Sequence, residues 1–393
     1  MPKPACRILY QFGIDPSNPS SKTLIPTAVA TSEEIRILWS SWCDLIYTTR
    51  VACQAPSIVY SGSGLSSTQQ EEFTSSDSSM NQAPTYHLSF FGSSTHGVRG
   101  YISEQNLRIF NTPAEEAKDQ KVGTWDHLAA PDVGKIQMCS DNSLLVCLPL
   151  LTSATTKTNI EGSITTMPHP KYLGSRSATT ETYETVANFA PTQLVVNATT
   201  ETALSPSGQV YTRTTDPRYP STLGRPYSGS SKFEPVPYLS ETRIKKIASG
   251  GYMTAAISED GELFLWGHSN PGTGEELGVL HRLDYEDDAM SKKTVIYGDT
   301  IQDDDVKVLN ISIEGGGCYA YDVAIGSGHI LVAAERETGE LVVFAAGCGA
   351  EGQLGTGRVV DHGKEFVEVV ALRGNRIKQL AAAGWSSFVV AEA

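Results

Sequence analysis

The stretch "GCGAEGQLGTG", Gly347–Gly357, decides the fold, because its glycines admit two incompatible readings. A phosphate cradle needs backbone N–H groups free to meet an anion, a helix start behind them and, for a nucleotide triphosphate, a Gly-Lys-Ser/Thr sequence. Here Gly352-Gln353-Leu354-Gly355 runs into Thr356, Gly357 and Arg358, and then into the valine-rich "RVVDHGKEFVEVVAL". That segment reads as strand. The alternative is the closing turn of a repeated β unit, which requires copies elsewhere.

Two copies are present. "GQVYTRTTDPRYPSTLG" from Gly208, "GELFLWGHSNPGTGEELG" from Gly261 and "GELVVFAAGCGAEGQLG" from Gly339 each open on a glycine, continue as a strand and end at Leu-Gly. The closing glycine lies 16, 17 and 16 residues after the first. Upstream of each lies a β-branched strand, a small-residue corner and a second apolar strand: "LVVNATTETALSPSG", "IKKIASGGYMTAAISEDG" and "VAIGSGHILVAAERETG". Ser207-Gly208 and Asp260-Gly261 are hairpin signals. The spacings of the hairpin glycines, 53 and 78 residues, fit a repeat of about 50 residues carrying one insertion of about 25, the length range of propeller blades. Units of this kind bury their faces and edges by packing radially, so the expectation is an all-β propeller.

At these residues the chain resembles the RCC1-like repeat family, seven-bladed propellers with a repeat near "aaGxxHsxxLtxxGxhhxWGxxxxGQLG". Ile244–Gly278 matches best, with its glycine pair and Trp266-Gly267, and Val323–Gly357 follows with Gly326, His329 and the full Gly-Gln-Leu-Gly. Leu194–Gly224 departs from the pattern, with Asn197 for the first glycine and Arg213 for the tryptophan. "IKQLAAAGWSSFVVAEA" at the C-terminus holds the first half of a repeat and "RILYQFGIDPSNPS" near the N-terminus the second, Phe12-Gly13 standing for Trp-Gly. The resemblance therefore implies a ring closed by pairing of N- and C-terminal strands, leaving no free edge. A degenerate N-terminal half before better C-terminal repeats is similar in layout to the RCC1 domain-containing type. Residues 1–393 are expected to form a single such propeller, its seven blades implied by that resemblance, with loop-like or disordered insertions at 66–85, 152–186 and 284–305.

Composition bounds the function. The formal net charge is −14, with 30 Lys and Arg against 44 Asp and Glu, which opposes attraction to nucleic acid or an anionic membrane surface. No apolar run is long enough for a secretory signal or a bilayer span, so the expected location is cytoplasmic or nuclear. Seven scattered cysteines without C-x-x-C spacing indicate neither a disulfide framework nor zinc. No paired histidines, Gly-x-Ser-x-Gly elbow or calcium loop is present, so no cofactor, metal or catalysis is expected.

Partner binding is the remaining expectation. Trp39, Trp42, Tyr252 and Trp385 fall at or near equivalent strand-to-strand corners, which a propeller would bring to one rim; packing between blades is the plain reading, an interface anchor the sharper one. His329 holds the repeat's histidine position, where an imidazole satisfied by the neighbouring blade competes with a binding role. The segment 284–305 has eight acidic residues, Asp303, Asp304 and Asp305 among them, and two lysines. It is a solvated loop or a docking strip for a partner with a basic segment. The expected protein is a non-catalytic scaffold or adaptor subunit, a monomeric propeller within a complex. The family resemblance adds two alternatives, a nucleotide exchange factor for a Ran-like small GTPase and a histone- or chromatin-associated module.

Overall fold

The computed structural model describes residues 6–51, 54–74, 88–93, 97–103, 107–110, 135–148, 162–167, 184–214, 216–269, 276–280, 295–298, 305–313 and 316–393. Hairpin β1 (Arg7–Asp15) and β2 (Asn18–Ser32) comes first. Blade 2 follows with β3 (Glu34–Ser40), β4 (Asp44–Arg50), β5 (Ser57–Gly62) and helix α1 (Ser67–Thr74). Blade 3 is β6 (Ser89–Ser93), β7 (Gly97–Ile102) and β8 (Leu107–Ile109); blade 4 is β9 (Lys135–Met138), β10 (Leu144–Leu148), β11 (Ser163–Met167) and β12 (Glu184–Ala187). Blade 5 holds β13 (Gln193–Val196), β14 (Thr200–Leu204), β15 (Val210–Thr214) and β16 (Glu234–Pro235). Blade 6 holds β17 (Ile244–Gly250), β18 (Tyr252–Ser258), β19 (Leu263–His268) and β21 (Lys307–Ile313), with β20 (Val295–Gly298) added outside β21. Blade 7 is β22 (Gly316–Ile325), β23 (His329–Arg336), β24 (Leu341–Gly349) and β25 (Val360–Glu368). Finally β26 (Ile377–Ala383) and β27 (Ser386–Glu392) join the N-terminal hairpin in the order β2-β1-β27-β26, which makes blade 1.

The result is a seven-bladed β-propeller. The innermost strands β26, β3, β6, β9, β13, β17 and β22 touch in sequence and back to β26, closing the ring. The expected terminal pairing is present: β1 runs antiparallel to β27 from Arg7 opposite Glu392 to Gly13 opposite Ser386. Seven apolar clusters fill the seven gaps between neighbouring blades. The hydrophobic effect thus acts mainly between sheets, and each blade's stability depends on both neighbours. Among the described residues no helix is long and apolar enough to cross a membrane.

The hairpin reading holds in the backbone. Gly208, Gly261 and Gly339 all have positive φ, and their N–H groups close the turns onto Ser205, Ser258 and Arg336. The insertion reading needs correction at three places. Residues 67–74 of the expected loop 66–85 form α1, because Phe73 is an apolar plug: it is buried between blades 2 and 3 and meets Phe90 edge-on at 5.2 Å. The helix lies against β5 where a fourth strand would lie. Within 152–186, β11 and β12 complete blade 4, with Ile164 and Val186 in its core. Within 284–305, β20 pairs with β21. Ser/Thr-rich surroundings hid β11 and β12, and acidic surroundings hid β20, since only one face of an outer strand needs apolar residues.

Polar side chains staple the innermost strands. Gln379 of β26 donates to the Ile37 carbonyl and accepts from the Ile37 N–H, both at 2.9 Å. Gln193 of β13 does the same to blade 6, donating to Lys245 O at 2.7 Å and accepting from Ile247 N at 3.0 Å. Asp322 of β22 accepts from Leu380 N at 2.7 Å and pairs with Lys246, so one carboxylate joins blades 6, 7 and 1. Gln379→Ala is expected to lower unfolding stability by about 1–3 kcal/mol, measured by urea denaturation, because it strands two Ile37 backbone groups at the closing seam.

Candidate functional site: the rim of the channel mouth

Where the corner is described, the innermost strand runs to the channel mouth, turns tightly and returns as the second strand. In blades 1, 6 and 7 the third strand comes back to the same mouth, and its end presses on the corner. Gly13, Gly267 and Gly347, each with positive φ, sit where a Cβ would overlap the carbonyl oxygen of Trp385, Tyr252 and Gly328 respectively. These three contacts explain the Trp-Gly glycine of the repeat and make Trp385, Tyr252 and Gly328 structurally equivalent corner residues.

Blade 5 solves the same corner differently. Asn197 replaces the first glycine, and its side-chain oxygen accepts from Thr199 N at 3.0 Å and Thr200 N at 2.8 Å. An Asx turn thereby does what a glycine corner does elsewhere. Arg213, in the tryptophan position, forms a buried ion pair with Glu201 directly across the strands, Nε to Oε2 at 3.0 Å. Burial pushes the Glu201 carboxyl above its usual range, with Arg213 opposing that shift.

The corners surround a cavity of about 630 Å³ at the channel mouth. Trp39, Tyr252 and Trp385 line it, with Ser40, Met138 and Asn197 among the other contributors, and among the described residues no lining side chain carries a formal charge. Trp385 is 45% exposed, an unusual value for a tryptophan on a concave surface. Tyr252 is half-buried and meets Tyr219 edge-on at 5.4 Å, with the exposed Arg218 guanidinium 6.0 Å from the Tyr219 ring centre. Two tyrosines and an arginine therefore stand together on the blade 5–6 side of the rim, with Trp385 on blade 1.

The remaining sequence candidates are placed apart. Trp42 is half-buried at the blade 2 corner, outside the cavity lining and packed against Gly384, next to Trp385. His329 is fully buried, which corrects its reading as a contact residue: no partner reaches it. Its ring lies over Gly326, its Nε2 is 3.0 Å from Ser387 Oγ, and burial pushes its pKa down to about 4. Asp303 and Asp304 lie outside the described residues. Asp305 is half-buried where the chain enters β21, whose first residue Lys307 pairs with Leu265 in the middle of β19. Tyr219 and Arg218 were not singled out by sequence reasoning, because they belong to the most degenerate repeat; their signal is position, four and five residues before Leu223-Gly224.

The Gly347–Gly357 stretch offers no anion cradle. Gly352 N–H donates to Gly349 O at 3.0 Å, Gly355 N–H to Gly352 O at 3.0 Å and Gly357 N–H to Leu24 O at 2.9 Å. Gln353 O accepts from Ser387 Oγ at 2.8 Å, and Lys22 pairs with Glu351 at 3.2 Å. The loop latches blade 7 onto blade 1. Among the described residues no three His, Cys, Asp or Glu side chains converge as a metal site would.

No protein-family model matches the chain, and no curated protein matches it by sequence. Among solved structures, the chain is similar to Prp20p from Saccharomyces cerevisiae, studied for its binding to Gsp1p and histones, with a TM-score of 0.53 and 13% identity over 100% of this chain and 92% of that one. It is similar as well to yeast RCC1 (Prp20) in a structure bound to Kap60, with a TM-score of 0.58 and 13% identity over 99% of this chain and 89% of that one. At this identity the likeness is one of fold, and the fold this chain shares is that of the RCC1 propeller.

Proposed function

We propose that the chain is an RCC1-like repeat protein that acts as a protein-interaction module, an adaptor or regulatory subunit that binds its partner over the channel mouth. The observation that carries this reading is the grouping of Trp39, Tyr252 and Trp385 from three blades around one cavity whose described lining is uncharged, with Trp385 exposed. Aromatic anchors in a concave, desolvating setting dominate the energetics of protein interfaces. The acidic composition of 284–305, eight carboxylates against two lysines, would steer a basic flank of the same partner.

Affinity capture with the full chain tests the reading. One stoichiometric partner is expected, and Trp385→Ala alone is expected to weaken its binding by about 2 kcal/mol, roughly 30-fold, in calorimetry with melting temperature unchanged. Undiminished binding by a Trp39/Tyr252/Trp385 triple alanine variant that remains folded would sink it. A second reading rests on the shared fold, since the Prp20p of the comparison was studied for binding to Gsp1p and histones. Under it the chain is an exchange factor for a Ran-like GTPase, and acceleration of nucleotide release from such a GTPase by the purified chain would establish it in place of the adaptor.

A further inference from the structure

Two serine–histidine pairs occur at neighbouring-blade contacts, and they are oriented oppositely. In the first, Ser387 Oγ donates to Gln353 O at 2.8 Å, so its 3.0 Å contact with His329 Nε2 has the imidazole N–H as donor. That pair is sealed in the interior. The second joins Ser221, in the short turn after β15, to His268 at the end of β19, with Oγ to Nε2 at 2.6 Å. On the other side of the ring, His268 Nδ1 lies 3.2 Å from Glu276 Oε2.

Donor and acceptor bookkeeping fixes the second arrangement. Burial pushes the Glu276 carboxyl up, but hydrogen bonds from His268, Ser269 and Leu277 outweigh it and hold it below the usual carboxylate range. An ionised carboxylate only accepts, so Nδ1 carries a proton, and Nε2, when it carries none, presents its lone pair to Ser221. Ser221 must then donate its hydroxyl proton to Nε2. The other carboxylate oxygen is held by Ser269 N at 2.8 Å and Leu277 N at 3.0 Å, which fixes Glu276 and leaves Oε2 for the histidine. Nucleophile, base and orienting group stand within hydrogen-bond reach in the order that activates a serine. Ser221 and His268 are both partly exposed, so an acyl donor reaches them.

We infer that Ser221 is an activated acyl acceptor, with His268 as its general base and Glu276 as the residue that positions His268. The donors it fits are small uncharged esters. Tyr252, directly opposite His268, and Ser269, next to it, belong to the channel-mouth lining, which among the described residues has no charged side chain to select an ionic substrate. In the step, Ser221 Oγ attacks the ester carbonyl carbon while its proton passes to His268 Nε2. The tetrahedral adduct then expels the alkoxide or phenoxide, which takes that proton, and leaves an ester on Ser221. No oxidant or further reactant is required. The inference goes beyond the interaction reading and stands independently of it.

Incubation of the full chain with p-nitrophenyl acetate provides the test. One acetyl group per chain is expected by intact mass, located on the Ser221 peptide and absent from Ser221→Ala. His268→Gln should slow acetylation about 100-fold, the size of a general-base contribution. Glu276→Gln should slow it at least about tenfold and Glu276→Asp should restore part of the rate, a rescue that a role confined to blade packing would not show. Melting temperatures of the variants separate loss of fold from loss of reactivity. Absence of acetyl from Ser221 in the unmodified sequence, or an equal rate in folded Glu276→Gln and Glu276→Asp variants, would overturn the inference.

Discussion

Arg213→Ala is expected to lower unfolding stability by about 3–5 kcal/mol, because it leaves Glu201 charged and unpaired in a blade interior. Both side chains are almost wholly enclosed, at 4% and 2% exposure, and the Arg213 guanidinium lies 5.9 Å from the Phe233 ring centre. With the guanidinium gone, the variant must take up a proton on Glu201, admit water to it or open the blade. The penalty therefore shrinks as pH falls and the carboxyl protonates. Blade 6 supplies the control, since the corresponding pair there is Trp266 opposite Thr254. The double change Glu201→Thr with Arg213→Trp is expected to recover most of the loss, as replacing a buried ion pair by packed apolar groups often does. Urea unfolding at two pH values measures all three quantities. A loss below about 1 kcal/mol for Arg213→Ala would show that the pair is solvated and that blade 5 is looser than described.

Gly347→Ala is the second large effect, expected at about 3–5 kcal/mol from left-handed backbone strain plus overlap. Its φ is +96°, and the new methyl would overlap the Gly328 carbonyl at the corner of blade 7. That carbonyl is fixed, because it accepts from Cys348 N at 2.7 Å. Gly339→Ala separates the two causes: its φ is +83°, yet nothing lies within 4 Å of an added Cβ. It should cost only the strain, about 1–2 kcal/mol. Equal losses at the two positions, in parallel thermal melts, would mean that backbone conformation alone explains the Trp-Gly glycine and that corner contact does not.

Much of the ring was readable from local chemistry. Hairpin glycines at 208, 261 and 339, the paired halves at the two ends and the Leu-Gly turns identified blades 5, 6, 7 and 1, because a glycine needed for positive φ leaves a mark in the sequence. Blades 3 and 4 left weaker marks. Their strands are three to six residues long, and periodicity cannot be read over so few positions. Helix α1 was hidden because a Ser/Gln/Glu-rich segment resembles a solvated loop until Phe73 is seen to have a pocket.

The candidate site was legible in part for the same reason. Tyr252 and Trp385 occupy equivalent corners, so alignment of repeats placed them together, and Trp39 joins them from the end of β3. His329 also aligned, but a repeat position says nothing of whether a side chain faces solvent or the adjacent blade. Ser221, His268 and Glu276 were beyond sequence reasoning. They lie 47 and 8 residues apart, within loops of different length in two blades, and only the ring brings the serine to the imidazole.

The central claim is that the partner covers the channel mouth, and amide hydrogen exchange of the full chain with and without its captured partner tests it most directly. Protection is predicted at the corners, residues 38–43, 195–199, 249–253, 326–328 and 382–386, with the hairpins at Gly208, Gly261 and Gly339 on the opposite side unchanged. Protection confined to those hairpins or to the outer strands β2, β12 and β25, with the corners exchanging as in the free chain, would contradict the account.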